Sequence, residues 1–311
     1  QDLEDMYSTR VPESQAKIQM EFAETNLPLT AICRTEQDLV RVIDELNLDG
    51  IVCGSDALFK FVPKRCRSYF LIKKWKRRKI NVLSVEDLVE NPFFGGFASR
   101  LQKKIPVVAY AVSSQNCPYR KMKRTEKKIL GANLLNFSHI SVRDEWTAGM
   151  VKFLLGGHEN VEIAPDPVFA FNRNNYLPLP DKSELLARYG IPENYVLLSF
   201  NTRFATEEYV KDLASELERG GFCPVALSMP ERLQSFDVAK CVDLPLNPLD
   251  WYALIAYSKG YVGERMHPIV VALHNSVPFF AFDEYGFVEN RCWGIWTRFD
   301  VNSSKTYHIL E

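Results

Sequence analysis

The sequence has little of what marks membrane-spanning, secreted or nucleic-acid-binding proteins. No stretch of the 311 residues approaches the ~20 consecutive apolar residues of a membrane span. The segment QDLEDMYSTR has neither the basic nor the apolar region of a secretory signal. Lys plus Arg number 38 and Asp plus Glu 39, so the net charge is −1. The protein as a whole therefore has no positive electrostatic field that would attract nucleic acid. We therefore expect a cytosolic protein that does not bind nucleic acid.

Cysteine and histidine are sparse and scattered. The seven cysteines contain no C-x-x-C pair, which favours reduced thiols over a disulfide framework, and neither they nor the five histidines have metal-ligand spacing. The dinucleotide-binding G-x-G-x-x-G, the Walker A loop, the G-x-S-x-G elbow and H-E-x-x-H are also absent. These absences exclude the simplest dehydrogenase, ATPase, hydrolase and metalloprotease assignments. We expect no metal and no cofactor.

The sequence does contain apolar strands that alternate with helices. Hydrophobic residues make up 46% of the chain, and uninterrupted apolar runs such as 105–112 and 195–200 predict strands buried on both faces. This alternation predicts an α/β fold with two Rossmann-like lobes of parallel sheet that face a cleft. The segment 172–190, rich in Asn and Pro, predicts the join, so the predicted lobes are 1–172 and 173–311.

Arginine follows a predicted strand in each lobe. Arg143 comes after the strand at 139–142, and Arg265 with His267 comes after the strand at 260–263. Ligands bind at the carboxyl ends of parallel strands, where a helix N-terminus favours an anion and an Arg fork fits carboxylate or phosphate. We expect one Arg from each lobe to frame an anion. The alternative for such an Arg is a surface ion pair, and the alternative for the His is a structural role.

Other polar side chains follow strands in the same way. Their hydroxyls, amides and charges lie in turns that expose backbone N–H groups to a ligand. Such turns are common in proteins. Asp166, which lies between two prolines, also fits a turn with a purely structural role. The residues are Gly54, Ser55, Asp56, Ser113, Ser114, Asp166, Asn201 and Arg203.

Residues 60–79 form a basic run with interleaved aromatic residues and no acid. One interpretation is a solvated surface loop. The other is a peripheral contact with anionic lipid headgroups or with a polyprenyl diphosphate, since each basic residue near an anionic surface contributes roughly 1 kcal/mol. No nucleic-acid-binding signature accompanies the run.

Taken together, five short motifs resemble the polysaccharide pyruvyl transferase family over about residues 20–285. They occur in the order and spacing of the family, and the S-x-R-[DE] and R-x-H elements are the most specific of them. The motifs are Gly54-Ser55-Asp56, Ala109-Tyr110-Ala111-Val112-Ser113, Ser141-Val142-Arg143-Asp144-Glu145, Asp166-Pro167-Val168-Phe169 and Glu264-Arg265-Met266-His267.

The resemblance implies a fold similar to GT-B glycosyltransferases and transfer of the pyruvyl group of phosphoenolpyruvate to two hydroxyls of one sugar as a cyclic ketal. Family members modify capsule, exopolysaccharide and other surface glycans, and the basic run at 60–79 leads us to expect a lipid-linked precursor as the acceptor. Arg143, Arg265 and His267 are then the expected catalytic and donor-binding residues, with Asn201 and Arg203 beside the donor in the second lobe. The remaining strand-end residues of the first lobe, together with Asp166, are expected to bind the acceptor.

The reaction needs a proton at the methylene carbon of phosphoenolpyruvate, and His267 is the expected general acid because its ordinary pKa lies near neutrality. Two departures from the family stand out. The usual first strand with its Asn/Gly-rich loop is not seen, so we expect the first lobe to lack it, and Met266 stands where Leu is frequent. The alternatives are a GT-B glycosyltransferase with a nucleotide-sugar donor and an inert sugar-binding relative.

Overall fold

A computed structural model describes most of the chain. The described residues are 13–61, 63, 91–115, 117–157, 161–172, 174, 176–200, 205–228, 238, 240–282, 290–292, 295–297 and 306. The α-helices among them are α1 (Glu13–Asn26), α2 (Glu36–Glu45), α3 (Arg124–Leu134), α4 (Glu145–Leu155), α5 (Lys182–Tyr189), α6 (Glu207–Arg219), α7 (Pro248–Ala256) and α8 (Met266–His274). The strands are β1 (Ile51–Gly54), β2 (Val107–Val112), β3 (His139–Val142), β4 (Glu162–Ile163), β5 (Tyr195–Ser199), β6 (Cys223–Leu227), β7 (Lys240–Val242), β8 (Gly260–Gly263), β9 (Phe279–Ala281), β10 (Asn290–Cys292) and β11 (Ile295–Thr297).

These elements form two compact units, the first from residues 30–167 and 285–311 and the second from 1–29 and 168–284. The main sheet of the first unit is parallel throughout, in the order β1-β2-β3-β4. Its core brings the buried side chains of β2 and β3 together with those of α3 and α4. Helix α4 begins at Asp144, whose carboxylate accepts the backbone N–H of Thr147, and ends at Gly156 in the left-handed conformation (φ 89°).

The second unit is a five-stranded parallel sheet in the order β7-β6-β5-β8-β9. All five residues of β5 are buried, as expected for a central strand with helices on both faces. Residues of α5, α7 and α8 pack on one face, and α6 packs on the other. The predicted α/β fold with parallel sheets in two lobes is confirmed. The predicted cleft between the lobes stays a prediction.

The division of the chain differs from the predicted lobes 1–172 and 173–311. The boundary lies between Pro167 and Val168, and residues 1–29 group with the second unit. Helix α1 belongs there because the buried amide of Gln15 exchanges two hydrogen bonds with the backbone of Leu246, at 2.9 and 2.6 Å. Part of the expected join is the helix α5, which buries two leucines in the second core.

No helix in the described ranges is both long and apolar enough to cross a membrane. Of the basic run at 60–79, the described residues include only Lys60, Phe61 and Pro63. The expected membrane contact therefore concerns residues outside the described part.

Candidate functional site

The turn after β1 is tied to the end of β2 by the backbone. The N–H of Ser113 donates to the carbonyl oxygen of Asp56 at 2.8 Å, and the N–H of Phe59 donates to the carbonyl oxygen of Ser113 at 3.1 Å. The backbone of Gly54 also passes close to β2, because an added Cβ would lie 2.7 Å from the carbonyl oxygen of Tyr110. This arrangement holds the predicted turn Gly54-Ser55-Asp56 at the carboxyl edge of the sheet.

Ser113 and Ser114 lie in the cap of α4 and are fully buried. The Ser113 hydroxyl donates to the Asp144 carboxylate at 2.8 Å, and that carboxylate caps the helix. The Ser114 backbone N–H donates to the Thr147 hydroxyl at 2.8 Å, and the two hydroxyls are 3.0 Å apart. Both serines therefore fix the helix against the strand edge. Their predicted contact with an acceptor stays a prediction, and the described geometry gives them a positioning role.

Arg143 joins two carboxylates at the end of β3. Its side chain is 3% exposed, and Nη1 donates to the buried carboxylate of Asp166. Nη2 lies 3.8 Å from Oδ1 of Asp56, whose side chain is 57% exposed. Within the described ranges, Nε and Nη2 have no hydrogen-bond acceptor. The edge formed by Nε and Nη2 thus retains hydrogen-bonding capacity. An Arg side chain can bind a carboxylate or phosphate through two hydrogen bonds from this edge.

Arg265 and His267 lie at the N-terminus of α8, directly after β8. Arg265 is the N-cap residue in extended conformation (φ −97°, ψ 127°), and its side chain does not cap the helix. The side chain is half-buried, whereas His267 in the first turn is exposed. The third helical residue is Pro268, which has no N–H, so the amides of Met266 and His267 carry the positive end of the helix. This end combines a guanidinium, an imidazole and backbone donors.

Tyr261 and Gly263 belong to the same strand end and were not predicted from the sequence. A Cβ on Gly263 would lie 2.5 Å from both the Ser199 carbonyl oxygen and the Tyr261 hydroxyl. Burial raises the pKa of Tyr261, while the nearby Ser199 hydroxyl and Arg265 lower it by smaller amounts. The sequence signal for this pair is the spacing: Tyr261 lies two residues before Gly263, and Gly263 lies two residues before Arg265.

Asn201 and Arg203, the other predicted donor residues, lie outside the described residues. The structure brings Asp56, Arg143 and Asp166 together in the first unit and Arg265 and His267 in the second. In the part of the chain that the structure describes, no cluster of His, Cys, Asp or Glu has the geometry of a metal site.

A family model described as polysaccharide pyruvyl transferase matches residues 8–284, nearly the whole chain. A search of curated protein sequences finds no match. Among solved structures, a UDP-N-acetylglucosamine 2-epimerase from Rickettsia bellii is similar, with 13% identity and a TM-score of 0.41. The alignment covers 80% of this chain and 60% of the epimerase. From the family match, the chain belongs to the polysaccharide pyruvyl transferase family.

Proposed function

We propose that the protein transfers the pyruvyl group of phosphoenolpyruvate to two hydroxyls of one sugar in a surface-polysaccharide precursor, forming a cyclic ketal. The observation that carries the proposal is the N-terminus of α8, where Arg265 and His267 stand beside backbone amides. Phosphoenolpyruvate has a carboxylate and a phosphate. An Arg fork and a helix N-terminus both favour such anions.

The chemistry assigns a proton transfer to His267. Its imidazolium gives a proton to the methylene carbon of the donor, so that the adjoining carbon becomes electrophilic. The first sugar hydroxyl attacks that carbon, and the bond to the phosphate oxygen breaks. The second hydroxyl then closes the ketal. Of the two hydroxyl protons released, one restores the imidazolium and the other leaves with the phosphate as hydrogen phosphate, so the charge is balanced.

The acceptor is assigned to the turn after β1. Asp56 supports this assignment because its side chain is more than half exposed and its carboxylate lies 3.8 Å from the Arg143 guanidinium. A carboxylate so placed can accept a hydrogen bond from a sugar hydroxyl. Asp166 is buried against Arg143 and supports the turn indirectly. The sequence-based role of Arg143 in donor binding stays a prediction. Its Nε–Nη2 edge, which makes no hydrogen bond to any described residue, is the group that would serve it.

Calorimetric titration tests the donor. We expect saturable binding of phosphoenolpyruvate and no binding of UDP-galactose, with Arg265→Ala removing most of the affinity. Arg219→Ala is the matched control because this Arg lies in the same unit with its side chain 70% exposed. If only the nucleotide sugar binds, the protein is a glycosyltransferase and the proposal fails.

A lipid-linked acceptor and a place at the cytosolic face of the membrane form a second part of the proposal. The support is the charge of the run at 60–79, which matches an anionic headgroup or diphosphate. Flotation with vesicles of anionic and of neutral phospholipid at low salt tests it. Retention on anionic vesicles alone, lost at high salt, is expected, and equal recovery with both vesicle types would refute it.

A further inference from the structure

The hydroxyl of Tyr261 is buried without a hydrogen-bond partner. The side chain is 0% exposed and belongs to the core of the second unit. Among the described residues, its hydroxyl has no partner of acceptable geometry. Burying a hydroxyl without replacing its bonds to water costs free energy, so such a group calls for an explanation. A Phe would fill the same space without that cost.

The position of the hydroxyl supplies the explanation. Because a Cβ on Gly263 would lie 2.5 Å from it, the phenol runs along its own strand to the carboxyl end. There it lies near the Ser199 side chain and near the backbone amide and charge of Arg265, without a hydrogen bond of acceptable geometry to either. The absence of a side chain at position 263 leaves the room that this path needs. The Tyr261 hydroxyl is thus directed at the turn that carries Arg265, the proposed donor-binding residue.

We propose that Tyr261 is a positioning residue, whose hydroxyl lies against the backbone of the Glu264–Arg265 turn and so keeps the Arg265 guanidinium oriented toward the donor anion. The inference rests on the proposed function, since Arg265 is the donor-binding residue assigned there. The hydroxyl beneath the turn restricts it, and Tyr261 acts through Arg265 without contacting the substrate.

Tyr261→Phe tests the proposal, with Tyr195→Phe as the matched control. Tyr195 lies on the neighbouring strand, is equally buried, and its hydroxyl donates to the Leu254 carbonyl oxygen at 2.6 Å. We expect Tyr261→Phe to keep or raise the melting temperature, because the hydroxyl makes no hydrogen bond among the described residues. It should weaken phosphoenolpyruvate binding about 3- to 10-fold, which corresponds to weakening one hydrogen bond between Arg265 and the donor. Tyr195→Phe should lower the melting temperature and leave the affinity unchanged.

Hydrogen exchange of the backbone amides at 265–267 provides a readout that does not depend on the donor. We expect these amides to exchange faster in Tyr261→Phe than in the wild type, and at the wild-type rate in Tyr195→Phe. Unchanged exchange in Tyr261→Phe, or an affinity loss that appears only with a fall in melting temperature, would overturn the positioning role. If the wild type fails to bind phosphoenolpyruvate, the proposed function fails, and the exchange rates alone decide the role of Tyr261.

Discussion

Asp166→Asn removes the buried negative charge that faces Arg143. The Arg143 side chain is 3% exposed and the Asp166 side chain 4%, so water cannot replace the lost partner. Breaking a buried ion pair by deleting one partner costs about 3–5 kcal/mol. The Asn amide oxygen can still accept the Nη1 hydrogen bond, so we expect a smaller loss of about 2–3 kcal/mol in the unfolding free energy of the first unit.

Asp56→Asn is the matched control, because it makes the same chemical change opposite the same guanidinium. Asp56 is 57% exposed, and its carboxylate lies 3.8 Å from Nη2. Solvent-exposed pairs of this kind contribute about 0.2–1 kcal/mol, so the control should lose less than about 1 kcal/mol. The two variants then differ in burial and in contact, because only Asp166 is buried and accepts a hydrogen bond from the guanidinium.

Urea-dependent hydrogen exchange measures the effect in the unit that contains the pair. Peptides from β3 and α4 report on the first unit, and peptides from β6 report on the second as an internal reference. Exchange in β3 and α4 should shift to lower urea in Asp166→Asn alone, with β6 unchanged. Equal shifts in the two variants would refute the reasoning that burial and the direct hydrogen bond make the Asp166 pair the stronger one.

Three further changes separate chemistry from packing. His267→Ala should slow exchange of the donor's methylene hydrogens with D₂O about 10²- to 10⁴-fold, as followed by NMR, yet preserve donor affinity in calorimetry; wild-type exchange would remove the general-acid role. Gly263→Ala places a Cβ 2.5 Å from a neighbouring backbone oxygen and should cost at least about 2 kcal/mol in thermal unfolding, whereas Gly260→Ala meets nothing closer than 3.5 Å and should be tolerated. Thr147→Val leaves the buried Ser114 N–H without its acceptor, for a loss of about 1–3 kcal/mol in urea unfolding; an unchanged midpoint would contradict this.

Local patterns predicted the strand ends well. The continuous apolar runs correspond to parallel strands, and Arg143 and Arg265 follow β3 and β8 as expected. The residues that determine a strand or a helix cap lie close together in the chain, so such elements can be predicted from local sequence.

The parts that were missed depend on contacts between distant residues. The Ser113 hydroxyl reaches Asp144 across 31 positions, so its part in the helix cap could not be predicted from local sequence. Helix α5 was hidden by flanking Asn and Pro, and only packing of Leu185 and Leu186 identifies it as part of the second unit. Tyr261 looked like an ordinary apolar strand residue because its unpartnered hydroxyl is visible only in three dimensions.

The backbone ties between Asp56, Phe59 and Ser113 have a consequence for how this protein can change. The turn at the carboxyl end of β1 is held through main-chain atoms, which every amino acid except proline provides in full. Replacing the exposed Asp56 side chain should therefore change the chemistry of the turn without moving its backbone. Under the acceptor role proposed for this turn, single substitutions would change the choice of acceptor while the backbone of the loop stays the same.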